Sequence, residues 1–160
     1  MRYTMQTRIN WNRAQGFTLV EALVALVVLS IGMLGIAALH VEGLRSSRTA
    51  LTRTTAVTLA SDIADRIRAN RAGKAEYEAA VTSADTNAKC KPSGAGCTPA
   101  ELARHDKALW LGAIQLALPG GTGTIDCVDP AAVPVTYTIT ITWSEVNAST
   151  PSSYSMTIQA

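Results

Sequence analysis

The chain has 160 residues, 48% of them apolar but only 5% aromatic with a single Phe, so it holds one modest domain and no large aromatic core. Its formal charge of +2 is unevenly spread: Arg2, Arg8 and Arg13 precede Phe17 with no acid among residues 1–16, leaving 11 basic residues against 12 acidic ones in the remainder. This distribution reads as membrane orientation, with the positive flank kept cytoplasmic, rather than as nucleic-acid affinity.

Residues 1–16 are polar and basic and end in Gly16. The next stretch is Gly16-Phe17-Thr18-Leu19-Val20-Glu21, followed by ALVALVVLSIGMLGIAAL, 18 residues without a charge from Ala22 to Leu39. A bilayer core needs roughly 20 apolar residues as helix. A carboxylate at the edge of such a run costs on the order of 2.5–3.5 kcal/mol by insertion scales, which points to a use for Glu21. A secretory signal is cut after its apolar core. Here two readings compete: a plain single-pass anchor, or a leader cut before the apolar run so that the run stays on the mature chain. No Pro interrupts the run, and Gly32 and Gly35 are its weak points as helix.

From Val41 to Arg71 there is no Pro and only Gly43. Val41, Leu44, Leu51, Leu59, Ile63 and Ile67 recur at helical spacing, one apolar stripe on an amphipathic helix. Asp62 and Arg66 form an i,i+4 pair, and Gly73 reads as a C-cap after the basic last turn. Residues 17–72 are expected as one helix of about 80 Å. Ala75–Val81 reads as a short helical turn, and 82–96 as a loop. Cys90 and Cys97 bracket CKPSGAGC in that loop; closing this small ring would pin it, but Cys127 could replace either partner. All three cysteines lie in the part expected outside, where an oxidising compartment permits a disulfide. They form no CxxC and have no His at ligand spacing, so no metal site is expected.

Thr98-Pro99-Ala100-Glu101 is a helix start with Thr98 as cap, Pro99 in the first turn and Glu101 closing a capping box. The helix should reach about Leu118 before Pro119-Gly120-Gly121. Leu102, Leu109, Ala113, Leu116 and Trp110 read as its apolar face, His105 and Asp106 as solvated. Beyond it, Val135, Tyr137, Ile139, Ile141 and Trp143 alternate with Thr136, Thr138, Thr140 and Thr142, a half-buried strand. Tyr154, Met156 and Ile158 repeat the pattern, and Ile125 and Cys127 suggest a third strand. An antiparallel meander laid over the outer half of the long helix would bury both apolar faces.

The motif GFTLVEALVAL, with its basic leader and long apolar run in register, resembles the type IV prepilin signature. With SDIADRIRANR, the disulfide-bracketed loop, the capped helix and the meander, the chain resembles the PilV type of minor pilin over most of its length. The resemblance implies an α+β, pilin-like fold: a long N-terminal α-helix, transmembrane in its first half, packed against a small head with a second helix and an antiparallel β-meander. It divides the chain into a leader (1–16), a transmembrane and assembly half-helix (17–40), an outer amphipathic half-helix (41–73) and a soluble head (74–160). It implies cleavage by prepilin peptidase between Gly16 and Phe17, methylation of the Phe17 amine, and a register role for Glu21 against the N-terminal amine of a neighbouring subunit. Implied partners are other minor and major pilins, prepilin peptidase, the inner-membrane assembly machinery and, before assembly, lipid. The chain would sit in the inner membrane with its N-terminus cytoplasmic and its head periplasmic, then in the extracellular pilus.

The function so implied is structural: a minor pilin for pilus priming and assembly, with adhesion and twitching motility as properties of the fibre. A minor pseudopilin of a type II secretion system is the nearest alternative, and a pilus-tip module binding DNA or a surface ligand is another. Neither an enzyme nor a cofactor is expected. GAG at 94–96 and GGTG at 120–123 lack the context of a phosphate loop and read as turns. Glu76 and Glu78 read as solvated charge, no nucleophile accompanies His105 and Asp106, and Asn147-Ala148-Ser149 is a glycosylation sequon of low specificity. Nucleic acid is not expected as a direct ligand.

Overall fold

The computed structural model describes residues 16–127, 134–145 and 148–160. The segment carrying Arg2, Arg8 and Arg13, and Asn147 of the sequon, lie outside the described residues. In chain order come helix α1 (Leu19–Ala69), a 3-10 helix (Arg71–Glu78), a 3-10 turn (Ala88–Cys90), helix α2 (Pro99–Ala117), and strands β1 (Thr122–Cys127), β2 (Thr136–Trp143) and β3 (Ser152–Gln159). This is an α+β, pilin-like arrangement. Contacts divide the chain into two compact units after Leu44.

In the first unit, α1 is continuous through Gly32 and Gly35. A Cβ at either glycine would meet open space, so their cost is propensity alone, about 1 kcal/mol each. Every described side chain of this unit is exposed, Leu19 at 82% and Leu34 at 72% among them. Its one helical serine is satisfied within the helix, Ser30 Oγ donating to the Leu26 carbonyl at 2.7 Å. The helix is long and apolar enough to cross a membrane.

In the second unit, residues 45–69 of α1 carry a threonine-rich turn that stays helical. Thr54, Thr55 and Thr58 each donate to the carbonyl four residues back. The buried face is Ala56, Ala60, Ile63, Ala64 and Ile67, at helical spacing. The expected stripe is therefore corrected: Ile63 and Ile67 belong to the core, Leu59 is half-buried, and Leu51 is exposed, as are Val41 and Leu44 of the first unit. Three of the five contact positions are alanines, which bring neighbouring elements close to the α1 backbone and escape a search for large side chains. Burying each Ile contributes roughly 1.5–3 kcal/mol.

The helix ends at Asn70, and Gly73 is not its C-cap. The Asn70 N–H closes the last turn on the Arg66 carbonyl, and Asn70 Oδ1 accepts from the Gly73 N–H at 3.2 Å, starting the 3-10 helix. Asn70 Nδ2 also donates to the Pro99 carbonyl at 2.8 Å. Gly73 is buried there because a Cβ would collide with that same Pro99 carbonyl. Close approach, rather than left-handed backbone, is what selects glycine. The helical segment expected at 75–81 accordingly begins earlier, at Arg71.

Helix α2 starts as its sequence dictates. Thr98 Oγ1 accepts from the Glu101 N–H, Glu101 Oε2 accepts from the Thr98 N–H at 2.9 Å, and Pro99 occupies the first turn. Its buried face is not the leucine face. Leu109 is 45% and Leu116 92% exposed, whereas Ala103, Trp110 and Ile114 enter the core and His105, Asp106 and Lys107 are buried. The reason is that α2 is covered on two sides. The core takes one side, and the segment between the 3-10 helix and α2 lies over another, contributing backbone partners for His105 and Lys107.

The sheet is an antiparallel meander in the order β1-β2-β3. Thr122 faces Thr142 on one side of the central strand and Tyr137 faces Ile158 on the other. Alternation on β2 places Tyr137, Ile139, Ile141 and Trp143 in the core and the threonines outward. Val135 and Ala160 exchange both backbone hydrogen bonds and lengthen that ladder. The GGTG segment is not wholly a turn. Gly120 has φ +61 and turns the chain, but Gly123 lies on β1, where a Cβ would come 2.5 Å from Trp110 Cη2 and 2.7 Å from Ile114 Cδ1. The missing side chain admits the indole.

Candidate functional site: the N-terminal signature and the network that holds the C-terminal unit

Gly16, Phe17 and Thr18 precede α1 outside any regular element, and all three are exposed. A Cβ at Gly16 would meet nothing within 4 Å, so no packing among the described residues calls for glycine there. Phe17 is 75% exposed. Thr18 begins the helix: its carbonyl accepts from the Ala22 N–H at 3.2 Å and its Oγ1 from the Glu21 N–H at 3.3 Å. Thr18 is thus the N-cap and Glu21 the third helical residue, in the first turn. Sequence reasoning missed this, although Thr18-x-x-Glu21 has the same spacing as the recognised Thr98-x-x-Glu101. Its carboxylate stands at the positive pole of the helix, where a negative charge contributes roughly 0.3–1 kcal/mol at an exposed site. The signature is therefore a capped helix start with an acid in its first turn, carrying an exposed apolar helix behind it.

In the C-terminal unit, Cys90 and Cys97 are joined by a disulfide with Cα atoms 5.1 Å apart. Cys127 is on β1, outside that bridge, and its N–H donates to Glu78 Oε1 at 2.6 Å. Glu78 is therefore engaged, and so is Glu76, whose Oε2 accepts from Arg104 Nε at 2.7 Å. The reading of both as merely solvated is corrected. They tie the 3-10 helix to β1 and α2.

His105 and Asp106 are corrected more sharply. Asp106 is 7% exposed, with Oδ1 accepting from Arg66 Nη1 at 2.8 Å and Oδ2 from Tyr77 Oη at 3.1 Å. Tyr77 Oη also reaches the Arg66 carbonyl at 3.2 Å, and Arg66 Nε keeps its expected helical partner Asp62 at 3.0 Å. One carboxylate thereby joins α1, the 3-10 helix and α2. Burial, reinforced by the Asp106 charge, pushes the Tyr77 phenol well above its ordinary range. Burial would lower the Arg66 pKa, but the hydrogen bonds that Arg66 donates to Asp106 and Asp62 raise it on balance. His105 Nδ1 accepts from the Asn87 N–H at 2.9 Å, which places its ring proton on Nε2. Lys107 Nζ donates to the Ala79 carbonyl at 2.8 Å; burial lowers its pKa against the pull of Asp126 and Glu78. Each of these groups has a structural partner, and they do not form a constellation of nucleophile and base. Among the described residues, no group of three His, Cys, Asp or Glu could hold a metal ion.

Residues 11–37 match the prokaryotic N-terminal methylation motif, and residues 38–108 match the family of type IV pilin Tt1218. No curated protein and no solved structure matches the chain. The two matches adjoin, covering the signature, all of α1, the disulfide loop and the first half of α2. Pilins are structural subunits that associate with other pilins and with the assembly machinery, and the motif with its exposed apolar helix fits membrane anchoring. The chain is a type IV pilin with a prepilin-type N-terminal signature.

Proposed function

We propose that this pilin is a minor pilin of the PilV type that primes or permits assembly of the type IV pilus. Residues 1–16 act as a leader that prepilin peptidase removes at Gly16–Phe17, after which the Phe17 amine is methylated. Residues 17–40 anchor the chain in the inner membrane with the N-terminus cytoplasmic and later pack in the fibre. Residues 41–73 and the head, 74–160, face the periplasm and then the exterior. Adhesion and twitching motility are properties of the resulting fibre.

The observation that carries this reading is the single carboxylate four residues beyond Phe17, at the entrance to 18 uncharged, exposed residues. A new amine at Phe17 and the Glu21 carboxylate of a neighbour stabilise each other best where water is scarce, and neither has another ionic partner within the apolar run. Glu21 would thereby set the axial register between subunits. Leaving one charge of such a pair buried alone costs about 3–5 kcal/mol, so Glu21→Val should still insert into the membrane yet reach sheared pili at least about tenfold less than wild type. Normal incorporation of E21V refutes the register role. Recovery of the chain with secretion components instead of pili favours a type II secretion pseudopilin.

A further inference from the structure

Between Glu42 and Asp62 the chain carries no acid, and its three basic residues there, Arg45, Arg48 and Arg53, are all arginines. All three are exposed on α1. Leu44, just before them, is 67% exposed. Exposed apolar surface that passes directly into arginines suits a boundary between hydrocarbon and water. Positive flanks ordinarily stay on the cytoplasmic side of a membrane helix, and Arg2, Arg8 and Arg13 already supply one. A second set beyond the apolar run works against that bias and calls for a use. Its composition narrows the use: a guanidinium presents a planar fork of donors that fits two oxygens of one phosphate, whereas an ammonium is a point charge.

Depth separates the three arginines. At 1.5 Å per residue, Arg45 and Arg48 follow Glu21 by about 36 and 40 Å of helix, and Arg53 by about 48 Å. A bilayer is about 30 Å thick in its hydrocarbon and about 40–45 Å with its headgroups. With Glu21 at one polar boundary, Arg45 and Arg48 fall in the headgroup layer of the opposite leaflet, where the phosphates lie. Arg53 falls beyond that layer and approaches the head instead, its Nε 3.6 Å from Glu145 Oε1. Arg45 and Arg48 are also one helical turn apart, so both can address headgroups on the same side of α1.

We propose that Arg45 and Arg48 bind the phosphates of anionic phospholipids in the leaflet on the head side of the membrane, and so fix how deeply α1 is drawn into the bilayer. The inference rests on the reading that residues 17–40 span the membrane. It gives the subunit a polar stop at each boundary, Glu21 at one and the arginine pair at the other. Arg53, of the same type and in the same acid-free segment, is left out of the lipid site by its position along the helix.

The test places a photoreactive benzoylphenylalanine at the exposed Ser47 of the full-length chain, reconstituted in vesicles of equal parts phosphatidylglycerol and phosphatidylcholine. Intact-mass analysis after irradiation reads which lipid is attached. The expected result is a phosphatidylglycerol adduct at least about fivefold more abundant than the phosphatidylcholine adduct, the preference that one arginine near an anionic headgroup supplies. Arg45→Gln with Arg48→Gln should bring the ratio to about one, and Arg53→Gln should leave it at the wild-type value, by about the same conversion. Three results overturn the proposal: equal adducts in the unsubstituted chain, a preference that survives the R45Q/R48Q pair, or a preference that R53Q abolishes as fully. A chain that carbonate washing strips from the vesicles overturns the membrane-spanning reading, and this one with it.

Discussion

Replacing Asp106 tests how the C-terminal unit holds its α1 segment. Asp106→Ala removes the acceptor for Arg66 Nη1 at 2.8 Å and for Tyr77 Oη at 3.1 Å. A fully buried pair broken on one side costs about 3–5 kcal/mol. Here the Arg66 side chain is 38% exposed and retains Asp62 at 3.0 Å, so the charge term falls toward the surface range of about 0–1 kcal/mol. The orphaned Tyr77 hydroxyl adds about 1 kcal/mol, softened by its second acceptor, the Arg66 carbonyl. The sum is about 1–2 kcal/mol. At roughly 2.1 cal/mol/K of unfolding entropy per residue over a unit of residues 45–160, 1 kcal/mol moves the midpoint about 4 °C, so Asp106→Ala should lower Tm by about 4–8 °C. Near-UV circular dichroism of the full-length chain in micelles reads this directly. A double variant with Arg66→Gln should fall by less than the two single losses added together, since both act on one network. A D106A midpoint within 2 °C of wild type, by about the same conversion, would refute the reasoning.

Two further outcomes follow from named contacts. Gly123→Ala places a Cβ 2.5 Å from Trp110 Cη2, and a buried indole cannot step aside cheaply, so denaturant unfolding should show about 2 kcal/mol of destabilisation while Gly35→Ala, in open space, is neutral or stabilising. Glu101 is held below the ordinary carboxylate range by the Thr98 N–H and hydroxyl. Because the folded value is the lower one, the stabilisation is fully present above about pH 4.3 and is lost as the pH falls through the folded value. The Tm advantage of wild type over Glu101→Gln should therefore be constant from pH 5 upward and shrink below pH 4, by about the same reference values.

Much of this fold was legible because its elements announce themselves locally. The Thr/apolar alternation on β2, the capping box at Thr98 and the uninterrupted apolar run need no tertiary information. The face of α2 did, because its burial is decided by what covers it. Leu116 remains outside, whereas Asp106 and Lys107 are inside since Arg66, Tyr77 and the Ala79 carbonyl supply their partners. Gly73 and Gly123 misled for a related reason: in both, glycine serves a close approach by a residue distant in sequence, Pro99 in one case and Trp110 in the other. At the N-terminus the chemistry of Glu21 was visible in its position, while its place in a capped first turn needed the Thr18 spacing to be read as a helix start.

Intact-mass and N-terminal peptide analysis of the chain recovered from sheared pili tests the processing site directly. A mature chain beginning with N-methylated Phe17, with Cys90 linked to Cys97, is expected. A pilus-borne chain that retains residues 1–16, or begins at any residue other than Phe17, would contradict that expectation.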